Sequence, residues 1–235
     1  MPQICRQVVT FETLLRRLAV SPSRGFVPLT MPNIGITGGV GTGKSAVLTG
    51  LSQLLRSKGL SVTSFSADFE ARRLTEKDLD VLKEIRSVFG DRYFDESGRL
   101  IREQLRALVF RDTESRQRLE QILHPRIRHA WLQLLSRTGF FLAEIPLLFE
   151  TQAEKHFDET VVTACSQTTQ IERLVTGRRL TPALADQIIH AQMPLSNKVL
   201  RADRIIWTDC RPTITDRQLQ RLAAALIARY GDARS

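Results

Sequence analysis

The residues with the most evident chemistry form the glycine-rich segment 38–45, which reads Gly-Gly-Val-Gly-Thr-Gly-Lys-Ser. It fits the pattern G-x-x-x-x-G-K-[ST] without a mismatch, and in that pattern glycines let successive backbone N–H groups converge on a phosphate. Lys44 is placed to reach the β- and γ-phosphates of a nucleoside triphosphate, and the hydroxyl of Ser45 to bind Mg²⁺. The competing interpretation is a glycine-rich turn in front of an ordinary helix.

The sequence on either side favours phosphate binding. The apolar segment 34–37 predicts a strand before the glycines. Apolar residues then recur with helical spacing, as Val47, Leu48, Leu51, Leu54 and Leu55. Gly59 is expected to end that helix, because glycine tolerates a left-handed cap. A strand, a glycine loop and a helix in this order form the context in which the motif binds a nucleoside triphosphate, but they do not separate kinases from GTPases or motors.

A second predicted strand, residues 60–65, leads to Asp68. Ligands of open α/β sheets bind at the carboxyl ends of the strands, so Asp68 is a candidate to face the phosphate loop. The same residue is equally suited to be the N-cap of a helix over 69–74. The two roles are compatible, and the residues alone leave both open.

The block 78–135 has helical periodicity, is rich in arginine and is too long for a simple crossover connection. It is predicted to be a helical insertion that covers the acceptor substrate; a structural subdomain with solvated arginines (Arg102, Arg106, Arg126 and Arg128) is the alternative. Pro125 predicts a break between two helices after His124, because proline favours the first helical turn.

The segments 140–145, 160–164 and 203–207 are predicted strands, and a terminal helix follows the last of them. Glu144 lies next to the end of the first of these strands, at the place where an acidic residue near Mg²⁺ is expected. Arginines follow a predicted helix start near residue 166: Arg173, Arg178 and Arg179. They either close over a triphosphate, where they would stabilise charge on the transferring group, or lie on the surface.

Length and composition exclude several classes of protein. The 235 residues suffice for one α/β core with a smaller excursion, and no run approaches the length of a membrane-spanning helix. A net charge of +9 suits a polyanionic small molecule or nucleic acid, but no basic tail or finger spacing supports nucleic acid. Three cysteines without a C-x-x-C pair indicate reduced thiols in a cytoplasmic protein.

The segment 1–32 does not resemble part of the core, because Pro28, Met31 and Pro32 separate it from the first strand. Three interpretations remain: the chain starts near Met31, the segment is a disordered or docking extension, or it is a targeting peptide. We favour the first two over targeting.

Taken together, the ordered landmarks resemble the dephospho-CoA kinase family over about residues 34–230. Besides the glycine loop they include Ala-Asp-x-x-Ala-Arg (67–72), Gly-Arg-Leu-Ile-Arg-x-x-Leu (98–105) and Leu-His-Pro-x-Ile (123–127). Pro-Leu-Leu-Phe-Glu (146–150), Gln-x-x-Arg-Leu (170–174) and Ala-Gln-Met-Pro-Leu-x-x-Lys (191–198) complete them. The glycine loop is generic, whereas the segments around His124, 146–150 and 191–198 are more particular.

The resemblance implies a fold, a reaction and a set of site residues. The fold would be a three-layer α/β P-loop fold with a five-stranded parallel sheet, a helical acceptor-binding insertion at 76–137 and a lid at 166–195. The reaction would be phosphorylation by ATP, with Mg²⁺, of the ribose 3′-hydroxyl of dephospho-CoA. We expect a cytoplasmic monomer or small homo-oligomer that binds neither nucleic acid nor membrane; other small-molecule P-loop kinases and a nucleic-acid-binding ATPase are the alternatives.

Residue roles follow from the same resemblance. The nucleotide would be bound by Gly38, Gly39, Gly41, Thr42, Gly43, Lys44, Ser45 and Ala46. Asp68 would orient the acceptor hydroxyl and take its proton, Lys44 would stabilise the phosphates, and Ser45 would hold Mg²⁺. The acceptor's phosphates or adenine would contact Arg72, Arg102 and His124.

The chain departs from the family pattern at four positions, Ala46, Ser66, Gly177 and Thr208. Gly177 matters most, because the family commonly places a lid arginine there; Arg178, one residue later, is the expected substitute. A regulatory GTPase is disfavoured, since Asn197-Lys198 begins an N-K-x-D signature but Leu200 occupies the aspartate position.

The composition break near Met31 generates one prediction. A chain that begins at Met31 should be soluble and phosphorylate dephospho-CoA with kcat and KM within about twofold of the full chain, because the core lies beyond it. Expression followed by a steady-state assay checks this. An insoluble product would show that the first thirty residues are structural.

Overall fold

The computed structural model describes residues 32–135 and 139–231. Within them, five strands form a single sheet in the order β2-β3-β1-β4-β5, with every neighbouring pair parallel. The strands are β1 (Asn33–Gly38), β2 (Val62–Ser66), β3 (Phe140–Glu144), β4 (Glu159–Ala164) and β5 (Arg204–Trp207). The predicted five-stranded parallel sheet is thus confirmed. The predicted extension 1–32 lies outside the described residues except for Pro32.

Nine α-helices lie in the described ranges. They are α1 (Lys44–Ser57), α2 (Ala67–Lys77), α3 (Leu79–Phe89), α4 (Arg102–Arg111), α5 (Thr113–Leu132), α6 (Gln167–Arg178), α7 (Pro182–His190), α8 (Leu195–Arg201) and α9 (Pro212–Tyr230). The helix predicted after the glycine loop is present, and Gly59 follows it with φ of 76°, as expected for a left-handed C-terminal residue.

Helices cover both faces of the sheet, which explains why the residues of its inner strands are buried whichever way they point. Every residue of β3 and β4 is buried, so neither strand alternates between apolar and polar residues: β3 is apolar up to Glu144, and β4 has Val161 and Val162 at its centre among buried polar residues. Leu142 packs towards α1 and α9, whereas its neighbours Phe141 and Ala143 pack with Trp131 on the other face. The alternation of side chains along each strand therefore builds two cores, and the three-layer arrangement is confirmed.

The helices α3, α4 and α5 form a smaller core of their own. It contains Val81, Ile85, Tyr93, Leu105, Ile122 and Leu123, with Leu74 of α2 packed against them. This block lies within the predicted insertion 76–137, and α6 and α7 lie within the predicted lid 166–195. The exact bounds of both units stay predictions.

The break predicted at Pro125 is wrong, because α5 is one continuous helix with Pro125 inside it. Proline removes one intrahelical hydrogen bond. The helix continues across it because its two halves are buried in different cores, with Ile122 in the insertion and Trp131 under the sheet. In addition, Arg126 Nη1 donates to the Ile122 carbonyl at 2.7 Å.

A buried carboxylate fastens the terminal helix to the sheet. Glu159, at the start of β4, is 1% exposed. It accepts hydrogen bonds from Arg204 Nε at 3.0 Å, Arg229 Nη1 at 2.8 Å and the Tyr230 hydroxyl at 3.4 Å. Burial, with the Glu159 charge, raises the pKa of Tyr230 to about 12, so the phenol stays protonated and donates.

Replacing this carboxylate should lower stability without changing the chemistry. Glu159→Ala should reduce the free energy of unfolding by about 1–3 kcal/mol, because its cationic partners stay partly solvated and only the charge-assisted hydrogen bonds are lost. Denaturant unfolding measures this. Glu96→Ala, which removes an exposed carboxylate, is the matched control; an equal loss in both variants would contradict the role given to Glu159.

Candidate active site

The glycine loop joins β1 to α1 in a conformation that its glycines permit. A Cβ at Gly38 would lie 2.4 Å from the Thr163 carbonyl oxygen, so the loop leaves the sheet at a point where only glycine fits. Gly43, the N-cap of α1, has φ of 84° and carries no side chain that could cap the helix. The start of α1 is therefore left without an internal hydrogen-bond acceptor.

Nearby and distant side chains donate hydrogen bonds to the carbonyl groups of this loop. The Gly39 carbonyl accepts from Lys44 Nζ at 2.9 Å and from Thr42 Oγ1 at 2.8 Å. The next three carbonyls, of residues 40–42, accept from Gln170 at 2.6 Å, Arg173 at 3.0 Å and Thr208 at 2.8 Å. Because the carbonyls are held outwards, the amides are free to point to the opposite side.

The backbone N–H groups of residues 43–46 have no hydrogen-bond partner among the described residues. Together they occupy the first turn of a helix, where the helix dipole places partial positive charge. Unpaired donors in such a position form an anion site. The geometry therefore supports phosphate binding at 43–46, with Ala46 included through its main chain.

A buried glutamate holds the hydroxyl expected to bind Mg²⁺. Glu144, at the end of β3, is 1% exposed and accepts from Ser45 Oγ at 2.8 Å and from Ser66 Oγ at 3.1 Å. Among the described residues no group of three or more His, Cys, Asp or Glu side chains could enclose a metal ion. One hydroxyl beside one carboxylate fits Mg²⁺, which is usually bound by few protein groups together with phosphate oxygens.

Asp68 presents a free carboxylate to solvent at the start of α2. The N-cap of that helix is Ser66, whose hydroxyl accepts from the Phe69 N–H at 3.5 Å, so the N-cap role considered for Asp68 is wrong. Asp68 is exposed and makes no hydrogen bond or salt bridge within the described ranges. Its negative charge acts on Lys44 and raises that group's pKa.

The electrostatics around Lys44 combine several charges. Lys44 is 8% exposed, and burial lowers its pKa. Asp68 and Glu144 oppose that shift, whereas the positive charges of Lys198 and Arg178 add to it. Lys44 is thus a buried cation that lacks a direct carboxylate partner and that an arriving polyphosphate would stabilise.

A cavity of about 600 Å³ opens beside Asp68. Its lining comes from α2, α4 and the end of α6: Asp68, Ala71, Arg102, Arg106, Phe110, Gly177, Arg178 and Arg179. Four guanidinium groups and one carboxylate surround this space. The cavity is therefore suited to a molecule with several negative charges.

Some of the residues predicted for the acceptor site and the lid line this cavity, and others do not. Asp68, Arg102 and Arg178 line the cavity together. Arg72 does not line it; its side chain is 64% exposed and pairs with Glu76 at 2.8 Å. His124 is half-buried and also lies outside the lining. The roles of all five residues stay predictions.

The sequence did not predict which side chains support the loop, and Arg173 was expected only to close over a triphosphate or to lie on the surface. Gln170, Arg173 and Thr208 hold its carbonyls, and Gln192 accepts from the Val40 N–H at 3.1 Å. The motif 170–174 contained a signal, since Gln170 and Arg173 lie three residues apart on one helix face. Nothing in the sequence showed that this face meets the glycine loop.

Lys198 is a further residue without a predicted role. It is completely buried, donates to the Pro146 carbonyl at 2.8 Å and pairs with Glu150 at 2.8 Å. Glu150 also accepts from the Met193 N–H at 3.2 Å. These contacts fasten the segment after α7 to the segment after β3, beside the phosphate loop.

Comparisons with known proteins agree with this site. Residues 33–212 match the family model described as dephospho-CoA kinase. A dephospho-CoA kinase of Bacillus thuringiensis is 36% identical over 195 residues, which cover 80% of this chain and 93% of that protein. A solved structure from Thermus thermophilus is 31% identical with a TM-score of 0.64, covering 85% of this chain and 97% of that one. Dephospho-CoA kinase from Campylobacter jejuni, 20% identical with a TM-score of 0.53 over 83% and 97%, shares the fold.

The buried state of Lys44 predicts opposite effects on stability and turnover. Its folded-state pKa lies below that of the unfolded chain, so the unfolded state binds more protons between the two values and stability rises with pH there. Below that window Lys44 lowers stability by a constant amount. Lys44→Met should therefore unfold at the same temperature as the parent or higher, while turnover falls at least about 10²-fold.

Thermal unfolding at pH 7 and a steady-state assay check both parts. Lys58→Met, at the exposed end of α1, is the control and should change neither quantity. Retention of turnover in Lys44→Met would remove this lysine from the phosphate site.

Proposed function

The chain belongs to the dephospho-CoA kinase family, and from that premise we propose that it transfers the γ-phosphoryl group of ATP to the ribose 3′-hydroxyl of dephospho-CoA. The products are CoA and ADP, so the reaction is the last step of coenzyme A synthesis. One observation carries the proposal: an unpaired carboxylate, Asp68, lies in a cavity lined by four arginines and is near enough to Lys44 of the phosphate loop to act on its pKa.

The donor site consists mainly of backbone. The unpaired N–H groups of residues 43–46 would bind the β- and γ-phosphates of ATP, and Lys44 would neutralise charge that moves towards the leaving ADP. Ser45, oriented by Glu144, would hold Mg²⁺, which supplies further positive charge beside the phosphates. Phosphoryl transfer requires mainly that the protein aligns the reacting groups and neutralises their charge, and these residues would do both.

On the acceptor side, Asp68 would orient the 3′-hydroxyl and accept its proton. A bond forms between that oxygen and the γ-phosphorus as the bond between the γ-phosphorus and the β,γ-bridging oxygen breaks. The exposure of Asp68 and its lack of a protein partner leave the carboxylate available for this proton transfer.

Arg178 is our candidate for the arginine that stabilises charge on the transferring group. It is the last residue of α6, lines the cavity and lies near enough to Lys44 to act on its pKa. Gly177, where the family pattern has a lid arginine, carries no side chain, and a Cβ there would meet no atom within 4 Å. The shift by one residue therefore still brings a guanidinium to the cavity.

The setting of the enzyme is inferred from the same features. We propose a cytoplasmic monomer or small homo-oligomer whose ligands are ATP, Mg²⁺ and dephospho-CoA, with no role for nucleic acid. Within the described ranges, none of the helices combines the length and apolar character needed to cross a bilayer. The described cysteines, Cys165 and Cys210, are both free thiols.

The role of Asp68 predicts a defect in chemistry without a defect in nucleotide binding. Asp68→Asn keeps the size of the side chain but cannot accept a proton, so kcat should fall about 10²–10⁴-fold while the Kd for ATP changes little. ADP release, coupled to a spectrophotometric assay with and without dephospho-CoA, measures the first quantity and calorimetric titration the second.

Glu103→Gln, a neutralised acid on α4 outside the cavity lining, should leave both quantities unchanged. Parent-like turnover in Asp68→Asn would exclude this residue as the base. ADP release by the parent that does not depend on dephospho-CoA would contradict the proposed reaction itself.

A further inference from the structure

Arg106 is a cationic side chain of the cavity that has no salt-bridge partner among the described residues and no role so far. Arg106, on α4, lines the cavity with Asp68 and Arg178 but makes no hydrogen bond or salt bridge within the described ranges. Its guanidinium carbon lies 5.2 Å from the centre of the Phe110 ring, one helical turn further on. Phe110 also lines the cavity, so the aromatic face holds the guanidinium at the wall of this space.

Three arginines of α2, α4 and α5 have carboxylate partners, unlike Arg106. Arg72 and Arg102 share the carboxylate of Glu76, at 2.8 and 2.9 Å, and Arg126 pairs with Glu84 at 2.7 Å. Glu76 of α2 and Glu84 of α3 thus neutralise these three arginines. Arg106 keeps all of its donors available to a ligand.

The charges around Arg106 favour an anion there. Burial lowers the pKa of its guanidinium, the positive charges of Arg178 and Arg102 lower it further, and the smaller effect of the Glu103 charge opposes them. The mutual repulsion of several positive charges with unused hydrogen-bond donors decreases when an anion binds among them. Arg178 is near enough to both Lys44 and Arg106 to lower the pKa of each, whereas Arg106 is not among the charges that act on Lys44. Arg178 is therefore the better placed of the two to serve the donor phosphates, which leaves Arg106 for the acceptor.

We propose that Arg106, held in place by Phe110, binds the 5′-pyrophosphate of dephospho-CoA, while Arg178 serves the phosphoryl group in transfer. The inference rests on the proposed function. A ribose whose 3′-hydroxyl meets Asp68 carries its pyrophosphate on the 5′-carbon of the same sugar, so that group must lie in the same cavity. A bidentate guanidinium suits it better than a point charge does.

Arg106→Gln tests the assignment by separating the two substrates. With the protein saturated by a non-hydrolysable ATP analogue, the Kd for dephospho-CoA should rise about tenfold to a hundredfold, the effect of losing charged hydrogen bonds. The Kd for the ATP analogue should change less than about twofold, and in turnover the loss should lie mainly in KM for dephospho-CoA. Calorimetric titration supplies the binding constants without any need for turnover.

Arg111→Gln is the matched control, because it removes the same charge from the same helix outside the cavity lining. It should bind dephospho-CoA like the parent. Equal weakening in both variants would show a general effect of net charge and overturn the proposal. Equal weakening of the ATP analogue and dephospho-CoA by Arg106→Gln would also overturn it, by placing Arg106 on the donor side.

Phe110 is a positioning residue in this proposal, and a double-mutant cycle tests that role. Phe110→Leu should weaken dephospho-CoA binding about two- to fivefold in the parent and have no further effect in Arg106→Gln, since its ring acts through the guanidinium. Additive losses would mean that Phe110 is merely structural. Parent protein that fails to bind dephospho-CoA would refute the proposed function, whereas parent-like binding by Arg106→Gln would refute only this inference.

Discussion

The site depends on how the backbone groups of the glycine loop are paired: its carbonyls accept hydrogen bonds from side chains, whereas the amides at the start of α1 have no partner among the described residues. The carbonyls of residues 39–42 accept hydrogen bonds from side chains of the loop itself, of α6 and of Thr208, which follows β5, while the amides of residues 43–46 stay unpaired. Unpaired backbone donors cost free energy, so such an arrangement persists only where the surrounding structure holds it. The rest of the fold supplies that support, and a polyphosphate supplies the missing acceptors.

The same principle extends to the charged side chains. Lys44 is buried with no carboxylate in direct contact, and Arg106, Arg178 and Arg179 gather around one aspartate. These cations repel one another and lower the stability of the free protein. Their arrangement makes physical sense only as the complement of two polyanionic substrates. By contrast, the buried side chains of Glu159 and Lys198, which have structural roles, are each paired with a group of opposite charge.

The departures from the family pattern are accommodated by local contacts. Ser66 caps α2 and also donates to Glu144, so a hydroxyl there leaves the helix start satisfied and Asp68 free. Thr208 accepts from Arg173 at 3.0 Å and donates to the Thr42 carbonyl, which links β5 to the phosphate loop. Gly177 and Arg178 at the end of α6 both line the cavity, which supports the proposal that Arg178 substitutes for the lid arginine.

Local sequence determined the loop, its helix and the buried strands, because glycine geometry, helical spacing and continuous apolar runs act over a few residues. It also singled out Lys44, Ser45 and Asp68, whose places follow from the ends of parallel strands. Tertiary structure alone decided that α5 runs through Pro125, since burial in two cores outweighs one lost hydrogen bond. Packing likewise determined which arginines lie near Asp68. Arg106 lines the cavity and Arg72 does not, and because both are arginines, residue type alone could not predict this difference.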